Sequence, residues 1–198
     1  MAQAARARDR RTPGDDTRAP RRAVDRVVGG MGRGGRCHPE AARRAAAAPA
    51  RPGRSIVAPA AELDNECELL VANGLLPADL VTHNRQVAEA ALRPWTPAFT
   101  HGDLQIAHVI VDGDEVTGII DWSEAGQGDA LYDLATFTLG HEEHLDDVAA
   151  AGYGTDIDLD VIHAWWSLRS LLVVRWLIEH GFDPFAPGCE VDVLRSRM

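Results

Sequence analysis

The chain has 198 residues and a formal net charge of -10, which is divided between two segments of opposite sign. Residues 1–60 hold 14 Arg against 5 acidic residues, a balance of +9, and residues 61–198 hold 6 Arg against 25 acidic residues, a balance of -19. The acidic body argues against nucleic acid as a partner and favours a cationic ligand. No apolar run approaches a membrane span, and three scattered cysteines without a secretory signal predict a cytoplasmic protein.

Residues 1–60 are rich in Arg, Ala, Gly and Pro and contain no aromatic ring. Such a segment buries too little apolar surface to offset its chain entropy, so we predict that it is disordered. A basic arm that binds nucleic acid is the alternative. The composition of residues 61–198 is that of one folded domain.

Within residues 61–198 the apolar spacing predicts helices, then a hairpin, then more helices. The Asp112-Gly113 pair lies between two β-branched runs, a strong hairpin signal. The predicted elements, in chain order, are a helix from Leu63 to Val71 ended by Gly74, a helix from Pro77 to Leu92, a hairpin of Val109–Val111 with Val116–Ile120, helices over 129–139 and 142–151, and a long helix capped by Asp158 or Asp160 that reaches His180.

The segment with the most chemistry reads Thr-His-Gly-Asp-Leu-Gln-Ile-Ala-His-Val, residues 100–109, directly before the hairpin. The hairpin then leads into Ile120-Asp121-Trp122. Phosphoryl transfer needs a carboxylate that accepts the proton of the attacking hydroxyl and ligands for magnesium. A loop, a hairpin and a second carboxylate in this order bring Asp103 and Asp121 to the same end of a small sheet.

Three motifs in this order resemble a known enzyme family. His-Gly-Asp-Leu at 101–104 is similar to the catalytic loop of small-molecule kinases, and Asp121-Trp122-Ser123 is similar to the metal-binding Asp-Phe-Gly of kinases. Gly128-Asp129 and Tyr132–Ala135 resemble the next segment, in which an Asp at the head of a helix braces the catalytic loop. Residues 61–198 therefore resemble the C-terminal lobe of the aminoglycoside and macrolide phosphotransferases, which are protein-kinase-like small-molecule kinases.

The resemblance implies an α+β fold, a protein-kinase-like C-lobe that is mostly helical with a small catalytic β-hairpin. It implies that Asp103 is the catalytic base or orienting carboxylate and that Asp121 is the main magnesium ligand. His108 stands where the family most often has Asn as a second metal ligand; a loop residue bonded only to backbone is the alternative. The residues implied to support the site structurally are His101, Asp129 and Asp133.

The implied reaction is transfer of the γ-phosphoryl group of ATP or GTP, with Mg²⁺, to a hydroxyl of a small cationic natural product or antibiotic. His108 and the Ile120–Ala125 run favour the macrolide kinases. A metabolic kinase acting on choline, homoserine or a sugar amine is an alternative, and so is a non-catalytic, vestigial binding module.

Kinases of this class also need an N-terminal lobe with a Lys that grips the nucleotide phosphates. The chain contains no Lys, and the glycines between Gly29 and Gly35 are not flanked by a strand pattern. We therefore expect the N-lobe to be absent and the chain to be an incomplete kinase, whose activity in this form the sequence leaves open. A shifted reading frame or a wrong start in a GC-rich gene would give residues 1–60 their composition.

Overall fold

The computed structural model describes residues 60–113, 115–152 and 157–198, so the predictions for residues 1–59 lie outside the described residues. The described helices are α1 (Ala60–Ala72), α2 (Ala78–Val87), α3 (Ala130–Thr138), α4 (Leu145–Gly152), α5 (Leu159–Glu179) and α6 (Glu190–Ser196). The described strands are β1 (Ala98–Thr100), β2 (Val109–Asp112), β3 (Glu115–Ile119) and β4 (Gly126–Gly128). Short 3-10 turns cover Ala88–Leu92, Ile106–His108, Trp122–Glu124 and Glu142–His144.

Helix α5 forms the centre of the core. Its first turn is capped by the Asp158 carboxylate, which accepts the backbone N–H groups of Asp160 and Val161, and the chain leaves the helix through Gly181 with φ of 81°. Helices α1, α2, α3 and α6 all pack against α5. Among the described helices, α5 alone is long and apolar enough to cross a bilayer, and 61% of its apolar window is buried in the protein. Such burial is typical of a core helix.

Polar contacts between helices fix how the bundle packs. The fully buried Asn84 of α2 donates to the carbonyl groups of Leu80 and Leu194, both at 3.0 Å, and accepts the Ser167 hydroxyl at 2.8 Å. These bonds give both the nitrogen and the oxygen of the amide a partner, so α2 is joined to α5 and α6 without an unpaired polar atom.

The four short strands form two separate antiparallel pairs, and both position the site. Strands β2 and β3 form the predicted hairpin, in which Val109 lies opposite Ile119. Strands β1 and β4 pair with Ala98 opposite Gly128. Residue 101 follows β1 and residue 129 follows β4, so this second pair fixes both ends of the segment that carries the predicted site.

The predicted elements are present, with changes at their ends. The second predicted helix is α-helical only to Val87 and continues as a 3-10 turn to Leu92. The helix predicted over 142–151 opens as a 3-10 turn and becomes α-helical at Leu145. Two features were not predicted, namely helix α6 and the pairing of β1 with β4.

Candidate active site

The backbone of the loop after β1 is held by one buried carboxylate. Asp133, in the first turn of α3, accepts the N–H of His101 at 2.6 Å and the N–H of Gly102 at 2.9 Å. Bonds from backbone N–H groups to a carboxylate are charge-assisted and stronger than neutral ones. Gly102 has φ of 85°, a left-handed conformation, so the loop turns sharply just before Asp103.

Asp129 has a different structural role from Asp133. It caps α3 by accepting the N–H of Leu131 at 3.1 Å, and its second oxygen accepts bonds from Arg93 at 2.6 Å and from the Trp165 indole at 3.1 Å. It therefore joins the head of α3 to α5 and to the segment before β1. Of the two acids grouped by the sequence, Asp133 is the one hydrogen-bonded to the loop.

The Asp103 carboxylate is partly exposed and is contacted by two side chains. The Gln105 amide donates to both of its oxygens, at 2.8 Å to Oδ1 and 2.9 Å to Oδ2. The Arg169 guanidinium of α5 lies 3.5 Å from Oδ1 and donates to Glu190 at 3.2 Å. Burial alone would lower the pKa of Arg169, but the carboxylates of Asp103 and Glu190 outweigh that effect and raise the pKa above its ordinary value.

His101 links the loop to the base of the hairpin. Its Nε2 lies 2.9 Å from the carbonyl oxygen of Ile120, and its Nδ1 lies 3.3 Å from the backbone N–H of Asp103. A carbonyl oxygen only accepts, so the neutral ring carries its proton on Nε2 and accepts the Asp103 N–H at Nδ1. The ring is buried beside Trp122, with a centroid separation of 4.6 Å. His101 thus connects the two segments that carry the predicted carboxylates.

His108 lies between those two segments and contacts both. Its Nδ1 donates to the backbone carbonyl of Asp103 at 2.8 Å, and its Nε2 lies 3.7 Å from Oδ2 of Asp121. Because Nδ1 holds the proton in that hydrogen bond, the Nε2 of the neutral ring has its lone pair free. That lone pair and the Asp121 carboxylate are therefore neighbours. Both the metal-ligand role and the backbone-bonded role considered for His108 fit part of this geometry.

Asp121 has an unusual backbone conformation. Its φ of 64° and ψ of 62° are left-handed, and it is the one non-glycine residue with positive φ in the described part of the chain. This conformation costs a residue with a side chain about 1–2 kcal/mol. Its Oδ1 accepts the Ser123 hydroxyl at 2.9 Å, which leaves Oδ2 on the side of His108. Strain of this kind is frequent at functional sites.

The side chains beside Asp121 are too few to surround a metal by themselves, which is typical of the magnesium sites of nucleotide enzymes. No group of three or more His, Cys, Asp and Glu side chains that could hold a metal occurs within residues 60–113, 115–152 and 157–198. Mg²⁺ in nucleotide enzymes needs only one or two carboxylates, because substrate phosphates and water complete its octahedron. Asp121 supplies one such carboxylate, and the His108 nitrogen beside it is a less favourable donor for Mg²⁺.

Sequence reasoning missed Gln105 and Arg169, which contact the Asp103 carboxylate, and Glu190, which contacts Arg169. Gln105 lies inside the recognised loop, but its residue type gave no signal. Arg169 lies 66 positions from Asp103 in the chain, beyond the reach of any local pattern. A signal for Arg169 existed, however. A cation within the apolar run of a core helix must find a buried anionic partner, since an unpaired buried charge is very unfavourable.

We predict that His108→Asn will strengthen Mg²⁺ binding. Asn can donate its amide N–H to the Asp103 carbonyl and present an oxygen to the metal, and Mg²⁺ prefers oxygen to nitrogen. His108→Leu removes both functions and should weaken Mg²⁺ binding. The measurement is a Mg²⁺ titration at fixed nucleotide, repeated with Mn²⁺, which tolerates imidazole better. An unchanged Mg²⁺ affinity in His108→Leu would show that His108 is bonded only to the backbone.

The helical lobe, the short hairpin and the carboxylates at its base define a kinase-like fold. A crystal structure of a choline/ethanolamine kinase family protein from Mesorhizobium loti is similar, with a TM-score of 0.50 and 19% sequence identity. The similarity covers 90% of this chain and 58% of that chain, so this chain spans a little over half of that protein's length. Among curated proteins, no sequence matches at a significant level.

The family follows from the sequence profile. The profile of the phosphotransferase enzyme family (APH) matches residues 5–165, most of the chain, and the chain belongs to that family. The resemblance inferred from the motifs is thereby confirmed. The matched range includes residues 5–59, which the motif resemblance left out, so the expectation that the N-lobe is absent is not confirmed.

Proposed function

We propose that this protein transfers the γ-phosphoryl group of ATP or GTP to a hydroxyl of a small cationic molecule. The observation that carries the proposal is the arrangement around His108, which contacts the Asp103 loop and the Asp121 carboxylate together. Phosphoryl transfer requires the carboxylate that orients the acceptor to lie close to the carboxylate that holds the metal. The protein contributes mainly positioning and charge stabilisation, and little covalent chemistry.

Asp103 has the role of orienting the acceptor. Its carboxylate accepts a hydrogen bond from the acceptor hydroxyl and takes the proton as the oxygen bonds to the γ-phosphorus. The bond between that phosphorus and the oxygen bridging to the β-phosphate breaks, and the nucleoside diphosphate leaves. Gln105 and Arg169 limit the motion of the carboxylate, so that the hydroxyl is held in line for attack.

Asp121, with His108, would hold Mg²⁺. When bound, Mg²⁺ neutralises charge on the nucleotide phosphates. The Ser123 hydroxyl fixes one Asp121 oxygen and leaves the other for this role. Ile120 and Trp122, on either side of Asp121, are about half exposed, at 50% and 48%. These apolar side chains offer a nucleotide base a surface to pack against.

The acidic balance of residues 61–198 supports a cationic acceptor, because it attracts cations at long range. Aminoglycosides, basic macrolides and choline or ethanolamine all meet this description. The macrolide assignment has the support of His108 and the Ile120–Ala125 run. The similarity in fold to a choline/ethanolamine kinase family protein supports testing amino alcohols in the same panel.

A non-catalytic binding module is the second candidate. The complete absence of Lys favours it, since kinases use a Lys to grip the nucleotide phosphates. In that case nucleotide would bind through Asp121 without transfer to any acceptor. Binding and turnover must therefore be measured separately.

We predict that the full chain binds ATP in a Mg²⁺-dependent manner and that Asp121→Ala weakens this binding at least about tenfold. The physical reason is the loss of the carboxylate beside Nε2 of His108, the predicted metal ligand. Isothermal calorimetry with and without Mg²⁺ is the measurement, and Asp79→Ala, which removes an exposed carboxylate of α2, is the matched control. Acceptor screening with macrolides, aminoglycosides and choline follows. Absence of Mg²⁺-dependent binding in the wild type would refute the proposed function.

A further inference from the structure

Arg169 is a largely buried cation whose guanidinium lies 3.5 Å from the predicted catalytic carboxylate. It lies in the interior part of α5 with a side chain only 11% exposed, and its guanidinium lies between Asp103 and Glu190. A buried guanidinium without partners would be strongly unfavourable, and the two carboxylates compensate its charge. Among the described residues, no other Arg lies within 4.0 Å of the Asp103 carboxylate.

The contacts of Asp103 distinguish its two oxygens. Oδ1 accepts a bond from Gln105 and lies 3.5 Å from Nη2 of Arg169. Oδ2 accepts only the second Gln105 contact, and the nearby Nδ1 of His108 is 3.9 Å away and already donates to the Asp103 carbonyl. Oδ1 is therefore the restrained oxygen, and Oδ2 keeps free acceptor capacity.

Glu190 holds the other side of the guanidinium. It accepts the Nη1 group of Arg169 at 3.2 Å from the first turn of α6, and its side chain is 12% exposed. One guanidinium therefore connects the loop after β1 to α6 through α5. The planar fork of Arg suits this arrangement, because it can serve two carboxylates in fixed directions.

We propose that Arg169 is a positioning residue, anchored by Glu190, that holds Oδ1 of Asp103 so that Oδ2 faces the acceptor hydroxyl. The inference rests on the proposed function for its effect on turnover. The contact itself is independent of turnover and can be tested separately. Through Glu190, helix α6 also contributes to the site, although this helix carries none of the recognised motifs.

The test compares Arg169→Met, Arg169→Lys and Glu190→Gln with Arg175→Met. Arg175 lies on the same helix but pairs with Glu66 and Glu179, so its loss affects stability alone. Arg169→Met should lower kcat about 100-fold with KM for ATP unchanged, since displacing a reacting group by about 1 Å has that effect. Arg169→Lys and Glu190→Gln should give smaller losses.

A double-mutant cycle provides the readout that does not depend on activity. The fall in urea midpoint caused by Arg169→Met should be smaller in an Asp103→Asn background, because the two groups interact. Equal falls in both backgrounds would overturn the contact, and an unchanged kcat in Arg169→Met would overturn the positioning role. If Arg169→Met does not fold, the double variant Arg169→Met with Glu190→Gln takes its place in the cycle, since it removes the guanidinium together with the charge of Glu190. A wild type without turnover would refute the proposed function, and the cycle would still decide the contact.

Discussion

Asp103→Asn should lower kcat for phosphoryl transfer about 1000-fold while the fold and nucleotide binding are preserved. Asn keeps the shape of Asp but carries no charge and cannot take the proton of the acceptor hydroxyl. The carboxylate is 25% exposed, and Glu190 still pairs with Arg169 after the substitution, so we expect the fold to be kept at some cost in stability. Initial-rate measurements over a range of acceptor and ATP concentrations give kcat and both KM values.

The control for this prediction is Asp79→Asn, which changes the same residue type on the exposed surface of α2. It should leave kcat and the thermal midpoint unchanged. Calorimetric binding of Mg²⁺-ATP to Asp103→Asn should match the wild type, since Asp121 is intact. Turnover by Asp103→Asn within tenfold of the wild type would remove Asp103 from the catalytic role.

The sequence predicted the elements that are determined by residues near one another in the chain. The Asp112-Gly113 turn between β-branched runs predicted the hairpin. Gly181 marked the end of the longest helix, and Asp158, one of the two cap candidates, is its N-cap. In each case the residues that decide the structure lie within a few positions of one another. The motif spacing also placed Asp103 and Asp121 at the base of the hairpin, where His108 contacts both of their segments.

Contacts between parts of the chain that are distant in sequence could not be predicted from the sequence. Strand β4 reads Gly-Gln-Gly and has no apolar alternation, so its pairing with β1 depends on the chain around it. The roles of Asp129 and Asp133 could not be separated either, since four residues on one helix place both near its start. Which of them meets the loop is decided by the packing of α3 against β1.

The conformation of Asp121 was also not predictable from its residue type. Left-handed backbone is usually marked by Gly, and although Asp adopts it more often than most residues, only a few per cent of non-glycine residues do so. Here the conformation follows from what lies on either side, with Ile120 bonded to His108 and Ser123 bonded to the Asp121 carboxylate. The contacts on either side thus override the usual backbone preference of Asp121 and turn its carboxylate towards His108. Such departures from local preference are common at functional sites.

Gly102→Ala should disrupt the site although it removes none of the predicted catalytic groups. A Cβ at position 102 would lie 2.2 Å from the carbonyl oxygen of Glu124 and 2.8 Å from its carbonyl carbon. Both are backbone atoms of the turn after Asp121, so relief of the clash must separate the Asp103 and Asp121 segments. The left-handed φ of 85° adds strain for any residue with a side chain.

We expect Gly102→Ala to lower kcat about 100-fold and to lower the free energy of unfolding by about 3 kcal/mol. The matched control is Gly74→Ala at the end of α1, where φ is 65° but no atom lies within 4 Å of the added Cβ. That variant carries the backbone strain without the clash, so it should lose about 1 kcal/mol of stability and keep its kcat. Parallel losses of activity in the two variants would show that strain alone is responsible. A loss confined to Gly102→Ala would show that the activity depends on the close approach of the two carboxylate-bearing segments, which the Gly at position 102 permits.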